Sequence, residues 1–319
     1  MGYARHMFAR AYSCKVGRMK KKTPAAADVS AAPEIRPGQS IELLKALHIL
    51  TIDGKMNQDS RRKLKQVYHL VQFIEPLLAQ VLAERGGVTL VDHGAGKSYL
   101  GFILYDLFFK AIAAQYAGNK VWGIETRAPL VEGAVKLAEK LGFSQMAFLN
   151  ASVADAMTSD QLPAQVDVVT ALHACDTATD DALRFGLEKR AKFIVLVPCC
   201  QAEVAAHLRN EKGETTASKS VAELWRHPIH TREFGSQITN VLRCLALEAH
   251  GYKVTVTELV GWEHSMKNEL IIAQFKNAPR KAASERLEEV LTTFGLLGMR
   301  HRFASQTPTA LHGVGAEQH

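Results

Sequence analysis

The hydrophobic pattern of the chain changes period part-way along, and the change marks its architecture. Between Gln58 and Glu84, Leu64, Val67, Tyr68, Val71 and Ile74 recur at helical spacing, which predicts an amphipathic helix. Pro76 is expected to divide it or to open a second helix, since an internal proline removes a donor and crowds the preceding turn. A shorter helix is predicted over 41–50, before the Asp53-Gly54 turn, and the Ala/Pro-rich stretch 23–40 reads as a linker. Past Gly86-Gly87, short apolar runs alternate with longer amphipathic stretches. The runs at 88–92, 120–125, 146–150, 166–172 and 192–198 read as strands, with helices at 97–117, 128–141, 153–161 and 178–190. Such alternation argues for a parallel sheet covered by helices on both faces. A polar insertion follows at 208–231, with turns around His227-Pro228. Then come a helix at 234–250, two strands at 252–260 and 268–275 joined by a short turn, and a helix at 282–295 before a flexible end. The expectation is a seven-stranded α/β sheet, mostly parallel and ending in an antiparallel hairpin. It forms a body over 85–275, with a helical extension at 41–84 and tails at 1–40 and 276–319.

In an open sheet of this kind, ligands bind outside the carboxyl ends of the strands, so the residues there carry the argument. The first strand ends in LVDHGAGKSYLG (90–101). A nucleotide phosphate loop needs glycine five positions before its Gly-Lys pair, and Val91 stands there. Asp92 would also aim a carboxylate at the anion. A dinucleotide fingerprint needs a third glycine, and Tyr99 occupies that position. S-adenosylmethionine, which has a cationic sulfonium, an amino-acid end and a ribose diol but no phosphate, fits better. Gly94 and Gly96 let the backbone approach it, and Asp92 accepts bonds from it directly or through water. A tight turn with no ligand is the bland alternative.

The second strand ends in Glu125, placed to take both ribose hydroxyls or to cap the helix that starts at 128. At the third, Asn150 and Ser152 carry polar groups that reach an adenine edge and Val153 packs on its face, although a plain loop explains them too. The fourth ends in ALHACDTATD. His173 and Asp176 are candidates for holding or deprotonating an acceptor, with Cys175 between them, and Thr179 and Asp180 are expected to cap the next helix. The fifth ends in VPCCQAE, where Cys199 and Cys200 are candidate acceptor-side residues or simply small apolar ones. The spacing of His173, Cys175, Cys199 and Cys200 misses the zinc-deaminase pattern, so no metal is expected. Lys267 and Asn268 in the hairpin turn and Lys65 in the first long helix are expected to border the acceptor's entrance.

Composition adds two constraints. No apolar run reaches the roughly 18 residues of a membrane span, and five cysteines without CxxC spacing argue for a reducing compartment. The net charge of +7 sits in the tails: residues 1–40 carry +6 and 276–319 carry +2, which leaves −1 for 41–275. A basic leader of this kind reads as a disordered segment, a mitochondrial presequence or a nucleic-acid arm. With it and the basic cluster at 61–65, RNA is the expected partner; the expected location is cytoplasmic, or mitochondrial if the leader is a presequence.

Taken together, VDHGAGKSYLG, HACDTATD, PCCQ and GWEHSMKNELI resemble the methyltransferase-domain family that contains the C-terminal part of the glutathione S-transferase C-terminal domain protein and its bacterial relatives. CDTATD and the paired cysteines are more distantly similar to the tRNA acceptor-stem 2′-O-methyltransferase, which has a histidine where Gln201 stands here. The resemblance covers about 41–275. It implies a class I, Rossmann-like, S-adenosylmethionine-binding domain, with Asp92, Gly94, Gly96 and Glu125 on the cofactor and His173 to Asp176 lining the reaction centre. Methyl transfer to RNA is the reading favoured; a small-molecule or protein acceptor, a noncatalytic RNA-binding scaffold and a nicotinamide-dependent oxidoreductase are the alternatives.

Overall fold

The computed structural model describes residues 34–172, 174, 176–198, 202–210, 219–259 and 269–303. All seven expected strands form: β1 (Thr89–His93), β2 (Lys120–Glu125), β3 (Met146–Asn150), β4 (Val168–Leu172), β5 (Phe193–Val197), β6 (Tyr252–Glu258) and β7 (Glu269–Phe275). They make one sheet in the order β3-β2-β1-β4-β5-β7-β6. The first five are parallel, and β7 runs antiparallel to both β5 and β6. This is the Rossmann-like fold of class I methyltransferases, with a terminal hairpin as expected. Strand order reverses between β1 and β4, so their carboxyl ends open a crevice. β4 and β5 are buried along their whole length, which is why they read as unbroken apolar runs.

The helices in chain order are α1 (Ile41–Ala46), α2 (Gln58–Arg85), α3 (Tyr99–Leu104), α4 (Lys110–Ile112), α5 (Ala128–Leu141), α6 (Val153–Thr158), α7 (Thr177–Glu188), α8 (Ala202–Asn210), α9 (Lys219–Ala222), α10 (Pro228–Ala249), α11 (Lys281–Thr293) and α12 (Arg300–Phe303). Three depart from expectation. α2 runs unbroken through Pro76. An internal proline costs about 3 kcal/mol, but Leu70, Val71, Ile74 and Leu78 around it are each at most 1% exposed. Four such side chains return roughly 1.5–3 kcal/mol apiece, so packing outweighs the lost hydrogen bond. The stretch expected as one helix over 97–117 is broken by a π turn at Tyr105–Phe109, where Tyr105 stacks on Phe143 and Asp106 is turned inward. Asp106 accepts from the Ser40 amide at 2.7 Å and pairs with Lys110. α10 begins at Pro228, earlier than the expected 234, because proline suits the first position of a helix.

The extension does not stand apart from the body. Leu43, Leu44, Leu47, Leu64, Ile74 and Leu78 share one apolar cluster with Leu90, Phe102, Val121, Val168 and Val195 of the sheet and its cover. Residues 34–40, expected to be linker, reach onto it through Tyr68, whose hydroxyl donates to buried Gln39. The opposite face of the sheet packs on α7 through Ala182, Leu183 and Phe185. A third cluster joins α8, Trp225, α10, α11 and α12, and buries Met299 and Phe303 where a flexible end was expected.

At Gly235, α10 passes so near α8 that a β-carbon would lie 2.9 Å from the Ala205 backbone. Gly235→Ala is expected to destabilise the fold by about 1–3 kcal/mol, read as a lower midpoint in chemical denaturation with the slope unchanged.

Candidate cofactor site and reaction-centre loops

The turn after β1 has the backbone that its glycines allow. Gly94 and Gly96 have φ of +61° and +57°, in the left-handed region. The Ala95 amide donates to the Ile124 carbonyl at 3.0 Å, which ties the turn to the end of β2. Tyr99, where a dinucleotide fold would have glycine, opens α3 and donates its hydroxyl to the Leu47 carbonyl of the extension at 2.8 Å.

Asp92 lies beneath this turn and not at its surface. It is 2% exposed, accepts the Thr170 hydroxyl at 2.8 Å from the paired position on β4, and accepts the Gly101 amide in the first turn of α3. That amide is one of the orphan donors of a helix start, and Ser98 in the N-cap position makes no side-chain bond to it. Of the two routes expected, direct or through water, burial closes the direct one in this structure: Asp92 supports the turn from below. Burial pushes its carboxyl up to about 7, only partly opposed by the Thr170 and Gly101 bonds. Its neighbour His93 points to the other face of the sheet, edge-on to Phe185, and burial lowers its imidazole to about 4.

Glu125 stands at the carboxyl end of β2 with its carboxylate against the turn. It accepts the Gly96 amide at 2.8 Å and the Arg127 amide at 3.0 Å, and it pairs with the Arg127 guanidinium at 2.8 Å and 3.1 Å. These bonds, first of all the one from Arg127, hold its carboxyl down at about 2. Asn150, opposite Glu125 in register, donates to the Glu125 carbonyl at 2.9 Å. Ser152 caps α6 in a reciprocal box with Asp155, so its hydroxyl is already engaged, and Val153 is half-buried at the start of that helix.

The loop after β4 carries a correction of another kind. Asp176, a candidate base, has φ +53° and ψ −120°, a conformation costly for a residue with a β-carbon. Its carboxylate accepts the amides of Ala202 (3.0 Å) and Glu203 (3.3 Å) in the first turn of α8. Asp176 therefore caps α8 through Oδ1 and ties the loop after β4 to the segment after β5. Thr179 and Asp180, expected to cap α7, lie within it. Thr179 donates to the Ala174 carbonyl, and Asp180 pairs at 2.5 Å with Arg243 of α10, which is fully buried. Arg243 also donates to Asn240 and to the Asp176 carbonyl at 3.1 Å, and Asn240 reaches Glu269 of β7. Burial outweighs the ion pair at Asp180 and raises its carboxyl above the usual range.

Lys65 is exposed on the first turns of α2. One turn on, His69 Nδ1 lies 3.1 Å from the Leu259 carbonyl just past β6, whereas Arg85 at the far end of α2 pairs with Asp167 before β4. α2 therefore runs opposite to the parallel strands, and its basic start stands at their carboxyl end. His173, Cys175, Cys199, Cys200, Lys267 and Asn268 lie outside the described residues. Arg127, Thr170 and Arg243 were not anticipated. Their signals are a Glu-x-Arg step at a strand end, a threonine inside an apolar strand and an arginine on the buried face of a helix.

Residues 62–207 match the family model described as a methyltransferase domain. S-adenosylmethionine is the cofactor of such a domain, and the residues fit it: glycines in left-handed turns leave the backbone open, and the Glu125 carboxylate stands beside them. Over 238 residues the chain is 27% identical to the mouse glutathione S-transferase C-terminal domain-containing protein, covering 69% of this chain and 34% of that protein. The human protein of that name is 24% identical over the same shares. The chain thus spans about a third of the length of these curated relatives. A similar solved structure is M. capricolum TrmK with S-adenosyl-homocysteine, at 12% identity and a TM-score of 0.37, covering 66% of this chain and 73% of that one. No helix among the described residues is long and apolar enough to cross a membrane.

Two outcomes follow for the buried groups of the site. Arg243→Met strands the buried Asp180 and is expected to cost about 3–5 kcal/mol, whereas Arg243→Met with Asp180→Leu recovers most of that loss; denaturant titration of both decides. For Asp92, the folded state keeps its proton up to about pH 7, whereas the unfolded chain releases it from about pH 4. Between those values the folded state binds more protons, so raising the pH lowers stability, and the effect levels off above 7. Asp92→Asn is expected to flatten that decline in unfolding midpoints measured from pH 4 to 8.

Proposed function

We propose that this methyltransferase transfers a methyl group from S-adenosylmethionine to RNA. The observation that carries the reading is the basic start of α2, with Arg61, Arg62, Lys63 and Lys65 at the same end of the sheet as the glycine turn and Glu125. Phosphates are held by such clusters, and affinity then falls steeply with salt. The helix start adds its own positive end. The net −1 of residues 41–275 makes this end a local feature and not part of a basic surface. A second reading is a small-molecule or protein acceptor. It is favoured by two partners that already neutralise part of the cluster: Arg61 pairs with Glu34 and Lys63 with Asp59.

The cofactor supplies a methyl group already activated on a sulfonium. The chain's part is to hold, align and exclude water. Glu125 holds the ribose diol and the Gly94–Gly96 turn admits the amino-acid end. Asn150 fixes the backbone of Glu125, and the Asp176 cap on α8 holds the two loops that face the methyl. His173 and Cys175 in the first of these loops, and Cys199 and Cys200 in the second, are the groups proposed to meet the acceptor, with Lys267 and Asn268 at its entrance.

Calorimetric titration with S-adenosylhomocysteine, and with NAD in parallel, tests the cofactor. Micromolar binding of the first and none of the second is expected, and Glu125→Ala weakens it by at least about tenfold, because it removes charge-assisted bonds worth roughly 1.5–3 kcal/mol each. Labelled-methyl transfer into total RNA tests the acceptor. Arg61→Ala with Arg62→Ala and Lys65→Ala is expected to cut transfer severalfold and leave cofactor affinity unchanged. Absence of S-adenosylhomocysteine binding sinks the whole reading; transfer into protein or small molecules, but not RNA, sinks its acceptor.

A further inference from the structure

The carboxylate proposed to hold the ribose is fully engaged within the chain. Its two oxygens accept from the Gly96 amide, the Arg127 amide, the Thr126 hydroxyl, and Nε and Nη2 of Arg127. A carboxylate offers about four lone-pair sites, so these five donors leave none for a diol that must itself donate. A diol that takes two of the four sites leaves room for two of the five, so three donors have to leave before a ribose can bind, the Thr126 hydroxyl at 3.3 Å among them. The two amides are backbone groups, one in the glycine turn and one at the start of α5, and cannot leave without unfolding those elements. The Arg127 guanidinium supplies two of the five bonds, and its side chain is 66% exposed. It also lies over the turn: a β-carbon on Gly96 would be 3.6 Å from Arg127 Nη2. The pair persists across the neutral range, because Glu125 stays ionised down to about pH 2.

We propose that Arg127 is an internal competitor for the cofactor site: its guanidinium occupies the Glu125 carboxylate and must swing away for a nucleoside diol to bind. The inference rests on the reading above, in which Glu125 holds the ribose. Arg127 sets the affinity of the site from within and takes no part in methyl transfer. The exchange is one ion pair for two hydroxyl bonds, so its balance depends on what weakens ion pairs. Salt screens the solvent-facing guanidinium of this pair, although the carboxylate is 7% exposed, and it leaves the contact between a carboxylate and neutral hydroxyls nearly unchanged.

The test is titration of full-length protein with S-adenosylhomocysteine at low and high sodium chloride, for the wild type, Arg127→Ala and Arg127→Lys. A pair with one solvent-exposed partner is worth on the order of 1 kcal/mol, so Arg127→Ala is expected to bind about fivefold tighter at low salt. Arg127→Lys, which keeps the charge and loses the two-pronged geometry, falls between. Wild-type affinity is expected to rise with salt and that of Arg127→Ala to stay flat; a role confined to stabilising the fold gives neither behaviour. Thermal unfolding of each variant establishes that it folds. Equal or weaker binding by Arg127→Ala, or a wild-type affinity that does not rise with salt, overturns the proposal. If neither the wild type nor Arg127→Ala binds, the reading of Glu125 as the ribose ligand fails with it, a result distinct from binding that ignores Arg127.

Discussion

One guanidinium holds the loop after β4 to the helices packed behind it. Arg243 has no solvent to fall back on, so its donors must be met inside the protein, and three elements meet them. Asp180 does so from α7, Asn240 from its own helix, and the Asp176 carbonyl from the loop after β4. A buried charge of this kind is poor at adding stability and good at punishing misplacement. The backbone of Asp176, unfavourable in isolation, persists because the charge fixes its carbonyl and the start of α8 fixes its carboxylate. Strain at a functional loop survives only where its surroundings over-determine it. Two loops that the chain separates by more than twenty residues are thereby set at one distance.

The cofactor side obeys a different constraint. There the burden is on orphan amides: a strand that turns sharply into a helix leaves amides without partners. Asp92 and Glu125 divide them, the first taking Gly101 from below and the second Gly96 from the rim. Two carboxylates of equal appearance thus live in opposite environments. One is pushed toward the neutral form by burial and the other is held ionised by a guanidinium.

The sheet was legible in the sequence because its central strands β1, β4 and β5 are buried nearly throughout; runs such as FIVLV at 193–197 admit few other readings. The interruptions were not legible. Pro76 read as a break because local rules weigh a proline alone, whereas tertiary packing supplied more than the proline removed. The π turn at Tyr105–Phe109 answers to Ser40 and Phe143, partners distant in sequence. The acidic residues at the strand ends were found, but their partners were not. Nothing local tells that Asp176 caps α8, or that Arg127 reaches back to Glu125, since both facts belong to the packing of one segment on another. Tyr99 shows the converse: chosen as an argument against a dinucleotide, it turns out to hold the helical extension.

That extension changes what counts as the structural unit. The family model opens at residue 62, inside α2, whereas the apolar surface that closes the sheet opens at Leu43 and Leu44. Tyr99 hangs from the Leu47 carbonyl and Asp106 from the Ser40 amide, so the segment that follows the glycine turn is moored to residues upstream of that boundary. The shape of the turn is thus a joint product of the sheet and a brace outside it. A graft that began at residue 62 would bring the glycines and leave their scaffolding behind.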